Sequence, residues 1–299
     1  MRPADTPERL FLAVVEAGSL KGAAERVGAD PSAVSRRISA LEARLGIVLL
    51  RRSTKQSAPT EAGARYYATM RRLVDEQDAA EAAITGMADT PSGRLRVAAP
   101  VDFGARFVAP VLSELRAAHP ALDLALVLGS ASADLAEAGI DVAVRIGALP
   151  DSALVAKRLG AVSRVLVAAP DHVARHGMPA TPDDLRGHPF VFYRPGERRL
   201  TLAMSWRDRP REVTVEGGVT ANAIGAIRAM VTAGHGAHLG PRWAFEDDLR
   251  RGALVELLPQ ATFDAFPLHA LHLGGVFRPA KIAAFIDAMQ NAVSRESSL

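Results

Sequence analysis

Along the first fifty residues the apolar positions fall three and four apart, the spacing that gives a helix one oily face. Leu10, Phe11, Val14 and Val15 form such a stripe, with Thr6 placed to cap the helix, Pro7 suited to its first turn and Gly18 to end it. Ser19 opens a second, short helix over 20–27, where Gly22, Ala23 and Ala24 let a neighbouring helix approach closely. A turn at Gly28 and Ala29 leads into DPSAVSRRISALEARLG, residues 30–46. There Asp30 caps, Pro31 opens and Gly46 stops a third helix. On a wheel of about 100° per residue, Val34, Ile38, Leu41 and Leu45 share a narrow arc. Ser32, Ser35, Arg36, Ser39 and Ala43 gather opposite, with Arg37 on the flank. Leu49 and Leu50 then predict the anchor of a strand, followed by a basic polar tip of Arg51, Arg52, Ser53, Thr54 and Lys55 before Pro59.

Thr60 is placed to cap a long helix starting at Glu61. Within it Tyr66, Met70, Leu73, Gln77, Ala80, Ile84 and Met87 alternate steps of four and three, a heptad seam of about three repeats. Such a seam joins two copies of a chain, or else packs a helix on its own domain. Its narrowness and regularity favour dimerisation through Tyr66, Met70, Leu73, Gln77, Ala80 and Ile84. Residues 89–93, DTPSG, break the helix. Beyond them strand and helix patterns alternate: a strand at 94–99, a helix over 104–118, and strands at 122–129 and 141–147 around a short helix at 132–139. The segment 163–267 repeats the theme, with strands at 163–170 and 213–220 and helices at 171–177 and 221–234. A final helix covers 279–292. Alternation of this kind implies a parallel α/β sheet with right-handed crossovers. The return to a last helix implies two lobes with two crossings between them.

Composition narrows the function. The 299 residues are 48% hydrophobic, enough for two or three compact domains. No stretch reaches the ~18 uninterrupted apolar residues of a membrane span. The first residues carry prolines and acids where a signal peptide has a basic start and a long apolar core. Cysteine is absent, which excludes disulfides and thiolate metal sites. The expected location is the cytoplasm. Net charge is only +3, yet nine bases face two acids between Arg36 and Arg72. A charge run without further pattern is ordinarily a solvated face. Here the outer face of the third helix is almost flat, with serines and a forward arginine. That suits the DNA major groove, about 12 Å wide, which admits one helix. Arginine can grip guanine in a bidentate contact, serines can reach phosphates or base edges, and the basic tip can follow the backbone as a wing. The candidate DNA-binding residues are Ser19, Lys21, Asp30, Pro31, Ser32, Ser35, Arg36, Arg37, Arg51, Arg52, Ser53, Thr54 and Lys55.

Ligands of open α/β sheets bind beyond the C-terminal ends of the strands. Those ends offer Pro100, Val101, Asp102, Phe103, Ser130, Ala131, Arg145, Ile146, Thr220, Ala221 and Asn222 as candidate effector contacts. The residues at 220–222 also stand at a helix start, where free N–H groups favour an anion. Arg145 either binds an acid or pairs with Asp141 or Asp102. His235, His238, His269 and His272 form two pairs, but on a strand positions three apart face opposite sides, so no metal site is expected. His238 is the better candidate for the cleft. No nucleophile elbow, phosphate loop or dinucleotide fingerprint occurs, so neither an enzyme nor a cofactor is expected.

The stretch SLKGAAERVGADPSAVSRRISALEARLGIVLLRR, with PTEAG after it, resembles the LysR-type transcriptional regulators. GRLRVAAPVDFG, LAEAGIDVAVRIG, SRVLVAAPDHVARHG and VFRPAKIAAFID are similar to that family's ligand-sensing domain. The resemblance implies a winged helix-turn-helix domain at 1–60 and a linker helix with hinge at 61–90. A two-lobed, periplasmic-binding-protein-like effector domain at 91–299 follows, with lobe I at 91–162 and 268–299 and lobe II at 163–267. It also implies the partners: promoter DNA, a small-molecule effector and further copies of the chain, as a homodimer and a tetramer of two dimers, with RNA polymerase a candidate contact and no membrane. The sequence departs from the family's usual Ser-Gln at Asp30-Pro31, which leaves more of the base reading to Ser32, Ser35, Arg36 or Arg37. It departs again at Leu50, where the family has phenylalanine, at Pro59, and at Asp102, where hydroxyl residues commonly contact the effector.

Overall fold

A computed structural model describes residues 6–52, 57–85, 90–129, 135, 138–152, 154–194, 196–274, 279–296 and 299. Its N-terminal part is built from α1 (Pro7–Ala17), α2 (Leu20–Val27) and α3 (Pro31–Leu45), each with the expected cap. Thr6 Oγ1 accepts from Arg9 N at 3.3 Å and Ser19 Oγ from Gly22 N at 3.0 Å. The Asp30 carboxylate accepts from Ser32 N at 2.7 Å and Ala33 N at 3.2 Å. The helices bury Leu10, Phe11, Val14, Ala23, Ala24, Val34, Ile38 and Leu41 in one core. The antiparallel pair β1 (Leu50–Arg52) and β2 (Ser57–Pro59) forms the wing, and α4 (Glu61–Thr85) leaves from it. Tyr67 and Val74 of α4 complete the core.

The first lobe begins with β3 (Gly93–Ala99). Helix starts at once, three residues earlier than expected, as α5 (Val101–Phe103), widens to π-type turns over Gly104–Val108 and continues as α6 (Ala109–Ala118). Next come β4 (Leu122–Leu128), β5 (Val142–Ile146) and β6 (Val155–Val162). The chain crosses at Ser163 into the second lobe: β7 (Arg164–Ala168), α7 (Pro170–His176), β8 (Val191–Phe192), β9 (Arg199–Trp206), β10 (Arg209–Glu216), β11 (Val219–Thr220), α8 (Ile224–Thr232), β12 (His238–Pro241), α9 (Arg242–Arg250), β13 (Val255–Glu256) and β14 (Ala261–Thr262). It returns through β15 (Phe266–His272) and ends with α10 (Ala280–Arg295).

The first-lobe sheet has the order β4-β3-β5-β15-β6, with β3 parallel to β4 and β5, and β15 antiparallel to both its neighbours. Helices α6 and α10 cover one face, burying Phe285, Ile286 and Met289 against Leu95, Val97, Val142 and Val144.

The second lobe departs from the expected parallel theme. Its sets β12-β7-β13 and β10-β9-β14 are antiparallel, and among the described residues the parallel pairing is confined to β8-β11 and a bridge from Phe190 to Ala237. One of these pairings is a tight hairpin. Arg207 and Asp208 both take left-handed backbone angles, φ 53° and 61°, which turn β9 straight back into β10. Neither residue carries the usual Asn-Gly signal of such a turn. The strand read at 213–220 is likewise split, because Gly217-Gly218 break it between β10 and β11. Most of the helix expected at 132–139 lies outside the described residues.

Candidate functional site

The face of α3 opposite its buried Val34, Ile38 and Leu41 is open: Pro31, Ser32, Arg36, Arg37 and Ser39 are exposed and Ser35 is half-buried. Asp30 and Ser32 spend polar groups on each other, since the Ser32 hydroxyl donates to the Asp30 carboxylate. That bond and the two backbone donors hold the Asp30 carboxyl below its usual range. Asp30 is therefore bound up as the helix cap. Lys21 and Arg51 are exposed, and Ser19 is engaged in capping α2. Ser53, Thr54, Lys55 and the Arg52 side chain lie outside the described residues.

Three residues not singled out as site residues set the wing. Glu42, on α3, accepts the backbone N–H of Leu49 at 2.8 Å and of Leu50 at 3.0 Å, tying the wing to the helix. Thr60 donates to Val48 O at 2.8 Å and accepts from Gly63 N at 3.0 Å. A Cβ at Gly63 would stand 2.0 Å from Leu49 O, so only glycine lets α4 cross the wing here. This gives the Thr-Glu-Ala-Gly motif its physical content.

On α4 the heptad positions divide. Tyr66 packs on Phe11, ring centroids 5.5 Å apart, and Met70 packs on the winged-helix core. Leu73 and Ile84 are exposed, at 43% and 87%. Gln77 donates to Glu81 Oε1 at 2.7 Å, and Ala80 is half-buried.

Between the lobes, the start of α8 meets the end of β3. The Asp102 carboxylate crosses the cleft and accepts from Ile224 N at 2.8 Å and Gly225 N at 3.0 Å. Beside it, Phe103 and Phe107 of the first lobe pack on Trp243 of the second, at 6.2 and 5.4 Å between centroids. Arg106 Nη1 donates to Trp243 O at 3.1 Å. Pro100 and Ile146 are half-buried at the strand ends and Val101 is exposed. Thr220 and Ala221 are half-buried, Asn222 is exposed, and Ala221 N donates to Phe192 O at 3.0 Å. Arg145 pairs with neither candidate acid. Asp141 instead takes Arg96 N at 2.6 Å and Lys281, and burial alone pushes the Arg145 guanidinium below its ordinary pKa.

Two expected cleft residues are buried. The Phe103 ring is 1% exposed, because the aromatic cluster covers it. His238 is buried within the second lobe, with Nδ1–H donating to Val191 O at 2.8 Å and its ring against Phe245. That burial lowers its pKa to about 4. Ser130 and Ala131 lie outside the described residues. Among the described residues no group of three or more His, Cys, Asp or Glu is arranged to hold a metal.

A charged junction joins all three parts of the chain. Glu16 of α1, its side chain 6% exposed, accepts from Tyr67 Oη at 3.2 Å and Arg71 Nη1 at 3.1 Å, and lies 3.8 Å from Arg94 at the start of β3. Arg71 also meets Asp75 at 3.1 Å. Lys281 of α10, 4% exposed, reaches Asp75 at 2.9 Å, Asp141 at 3.3 Å and Arg94 O at 2.6 Å. Arg71, Asp75, Asp141 and His272 line a cavity of about 330 Å³ beside it. Nothing in the sequence pattern pairs these charges with one another.

Known proteins share this fold. The family described as LysR substrate binding domain matches residues 88–294, and that described as bacterial regulatory helix-turn-helix protein, lysR family, matches 9–64. An HTH-type transcriptional regulator of Xanthomonas campestris pv. campestris is 34% identical over 93% of this chain and 82% of its own length. The transcriptional activator AaeR of Escherichia coli is 32% identical over 94% of this chain and 91% of its own. Full-length AphB, the Vibrio cholerae virulence activator, superposes with a TM-score of 0.58 at 27% identity, over 95% of this chain and 98% of that one. CrgA from Neisseria meningitidis gives 0.56 at 29% identity, over 97% of both chains. These relatives are regulators and not enzymes. With a helix-turn-helix at its start and a two-lobed ligand domain behind it, the chain belongs to the LysR family of bacterial transcriptional regulators.

Proposed function

We propose that residues 1–60 bind promoter DNA sequence-specifically, with α3 in the major groove and the wing on the phosphate backbone. In this reading 61–90 form the dimerising linker, and 91–299 bind a small-molecule effector between lobe I (91–162 and 268–299) and lobe II (163–267). The observation that carries it is the α3 face: Ser32, Arg36, Arg37 and Ser39 stand exposed over a buried Val34, Ile38 and Leu41 underside. Short hydroxyl side chains permit close approach, and Arg36 near the helix N-terminus supplies a bidentate donor. Lys21 and Arg51 flank the helix as phosphate contacts, joined by Arg37, Arg52, Ser53, Thr54 and Lys55.

Effector contacts in this reading come from Pro100, Val101, Asp102, Arg145, Ile146, Thr220, Ala221 and Asn222, with Ser130 and Ala131. Dimerisation uses the exposed seam of α4 at Leu73 and Ile84, with Gln77 and Ala80. The regulator works in the cytoplasm as a dimer or a dimer of dimers, with RNA polymerase a further contact on the promoter. Gel-shift titration on the region upstream of its own gene tests the reading. Arg36→Ala weakens specific binding by about 1–3 kcal/mol and leaves non-specific binding nearly unchanged. Full retention of specific affinity by that variant refutes the placement of α3.

A further inference from the structure

We propose that Asp102 sets the ligand specificity of the interlobe cleft: its carboxylate occupies the anion position at the start of α8, so the cleft selects against ligands that place an oxyanion there. The inference rests on the reading of this cleft as the effector site. Helix α8 has nine residues, and its first backbone donors are free for a partner outside the helix. Two of them, on Ile224 and Gly225, are taken by Asp102 at 2.8 and 3.0 Å. Bonds from two amides to one ionised carboxylate are charge-assisted, and a helix N-terminus adds partial positive charge to the same point. A ligand carboxylate would seek this geometry, and here the chain supplies the carboxylate itself.

The surroundings are shaped to the internal group. Gly225 has no side chain, and a Cβ there would stand 2.9 Å from Asp102 Oδ1. Tyr193, just past the end of β8 and 40% exposed, holds its phenol proton more tightly, through partial desolvation and the Asp102 charge. A second anion brought beside Asp102 would meet the same repulsion. Arg145, at the end of neighbouring β5, is half-buried with no acid partner among the described residues. The ligand class that fits turns a neutral or cationic group, such as an amide, hydroxyl or ammonium, toward Asp102 and Tyr193. Any anionic group it has goes to Arg145.

The test reads the Ile224 and Gly225 amides by ¹H–¹⁵N NMR on the full chain during titration with acetate and with sulfate, using chloride for the ionic-strength control. In the natural chain these two resonances follow the chloride control. In Asp102→Ser and Asp102→Ala they shift saturably, with apparent affinity for acetate roughly tenfold or more above the natural chain's. Saturable shifts of equal midpoint in the natural chain overturn the proposal. So do folded variants, judged by unchanged dispersion elsewhere, whose two amides ignore both anions. The promoter gel shift is independent of this measurement, so failure of the DNA-binding reading is seen separately.

Discussion

Lys281→Met tests whether the charged junction holds the three parts of the chain together. Methionine keeps most of the side chain's length and removes its charge. Lys281 is 4% exposed and contacts two carboxylates, Asp75 at 2.9 Å and Asp141 at 3.3 Å, plus Arg94 O at 2.6 Å. Removing one partner of a buried ion pair costs about 3–5 kcal/mol, because the other charge stays buried without compensation. Arg71 still faces Asp75 at 3.1 Å, and Arg96 N still faces Asp141, so the lower end, about 3 kcal/mol, is the expected loss. The assay is urea unfolding at neutral pH, followed by the fluorescence of Trp206 and Trp243.

The pH dependence gives a second reading of the same variant. Burial raises the folded pKa of Asp75 above 3.8, against the opposing pull of Lys281 and Arg71. An acid with a raised folded pKa binds more protons folded than unfolded. Its favourable contribution is full below the unfolded pKa and is lost as pH rises through the folded value. Without Lys281 that folded value climbs further. The deficit of the variant is therefore largest at neutral pH and shrinks as pH falls toward 3.8. A loss below about 1 kcal/mol, the size of an exposed surface pair, or a deficit that grows on acidification, refutes the role given to Lys281.

Three further outcomes follow. Gly63→Ala drives a methyl into Leu49 O, 2.0 Å from the Cβ position, so operator affinity in a gel shift falls while the circular dichroism of the ligand domain is retained. His238 is held neutral with a folded pKa of about 4 against an ordinary 6.5, so stability present above 6.5 is lost as pH falls toward 4, on the order of 3 kcal/mol. His238→Asn, which keeps a donor for Val191 O, flattens that part of the stability–pH curve measured by urea unfolding, and an unchanged curve counts against the assignment. Leu73→Glu combined with Ile84→Glu places charge on the exposed seam of α4, so the mass by light scattering falls toward the monomer, whereas an unaltered mass removes these residues from the interface.

What the sequence discloses and what it hides follow a physical division. The caps Thr6, Ser19 and Asp30 and the stops Gly18, Gly28 and Gly46 act within a turn of their own position, so they were readable one residue at a time. The buried arc of Val34, Ile38 and Leu41 was readable because its period is the helix's own. The reversal of β9 into β10 is hidden because Arg207 and Asp208 do not advertise left-handed angles.

The charged sites were hidden for another reason. A carboxylate finds its partner across sequence distances that no local pattern records, as Lys281 with Asp75 and Asp102 with Ile224 show. Strand β3 brings the two kinds of information together. The apolar alternation of Leu95 and Val97 identifies it as a strand, yet its functional charges are fixed by partners elsewhere. Arg94 at its start joins the junction with Glu16, and Asp102, just past its end, joins the lobes. One seven-residue strand thus spans from the domain junction, where Arg94 lies near Glu16, to the contact between the lobes, where Asp102 caps α8.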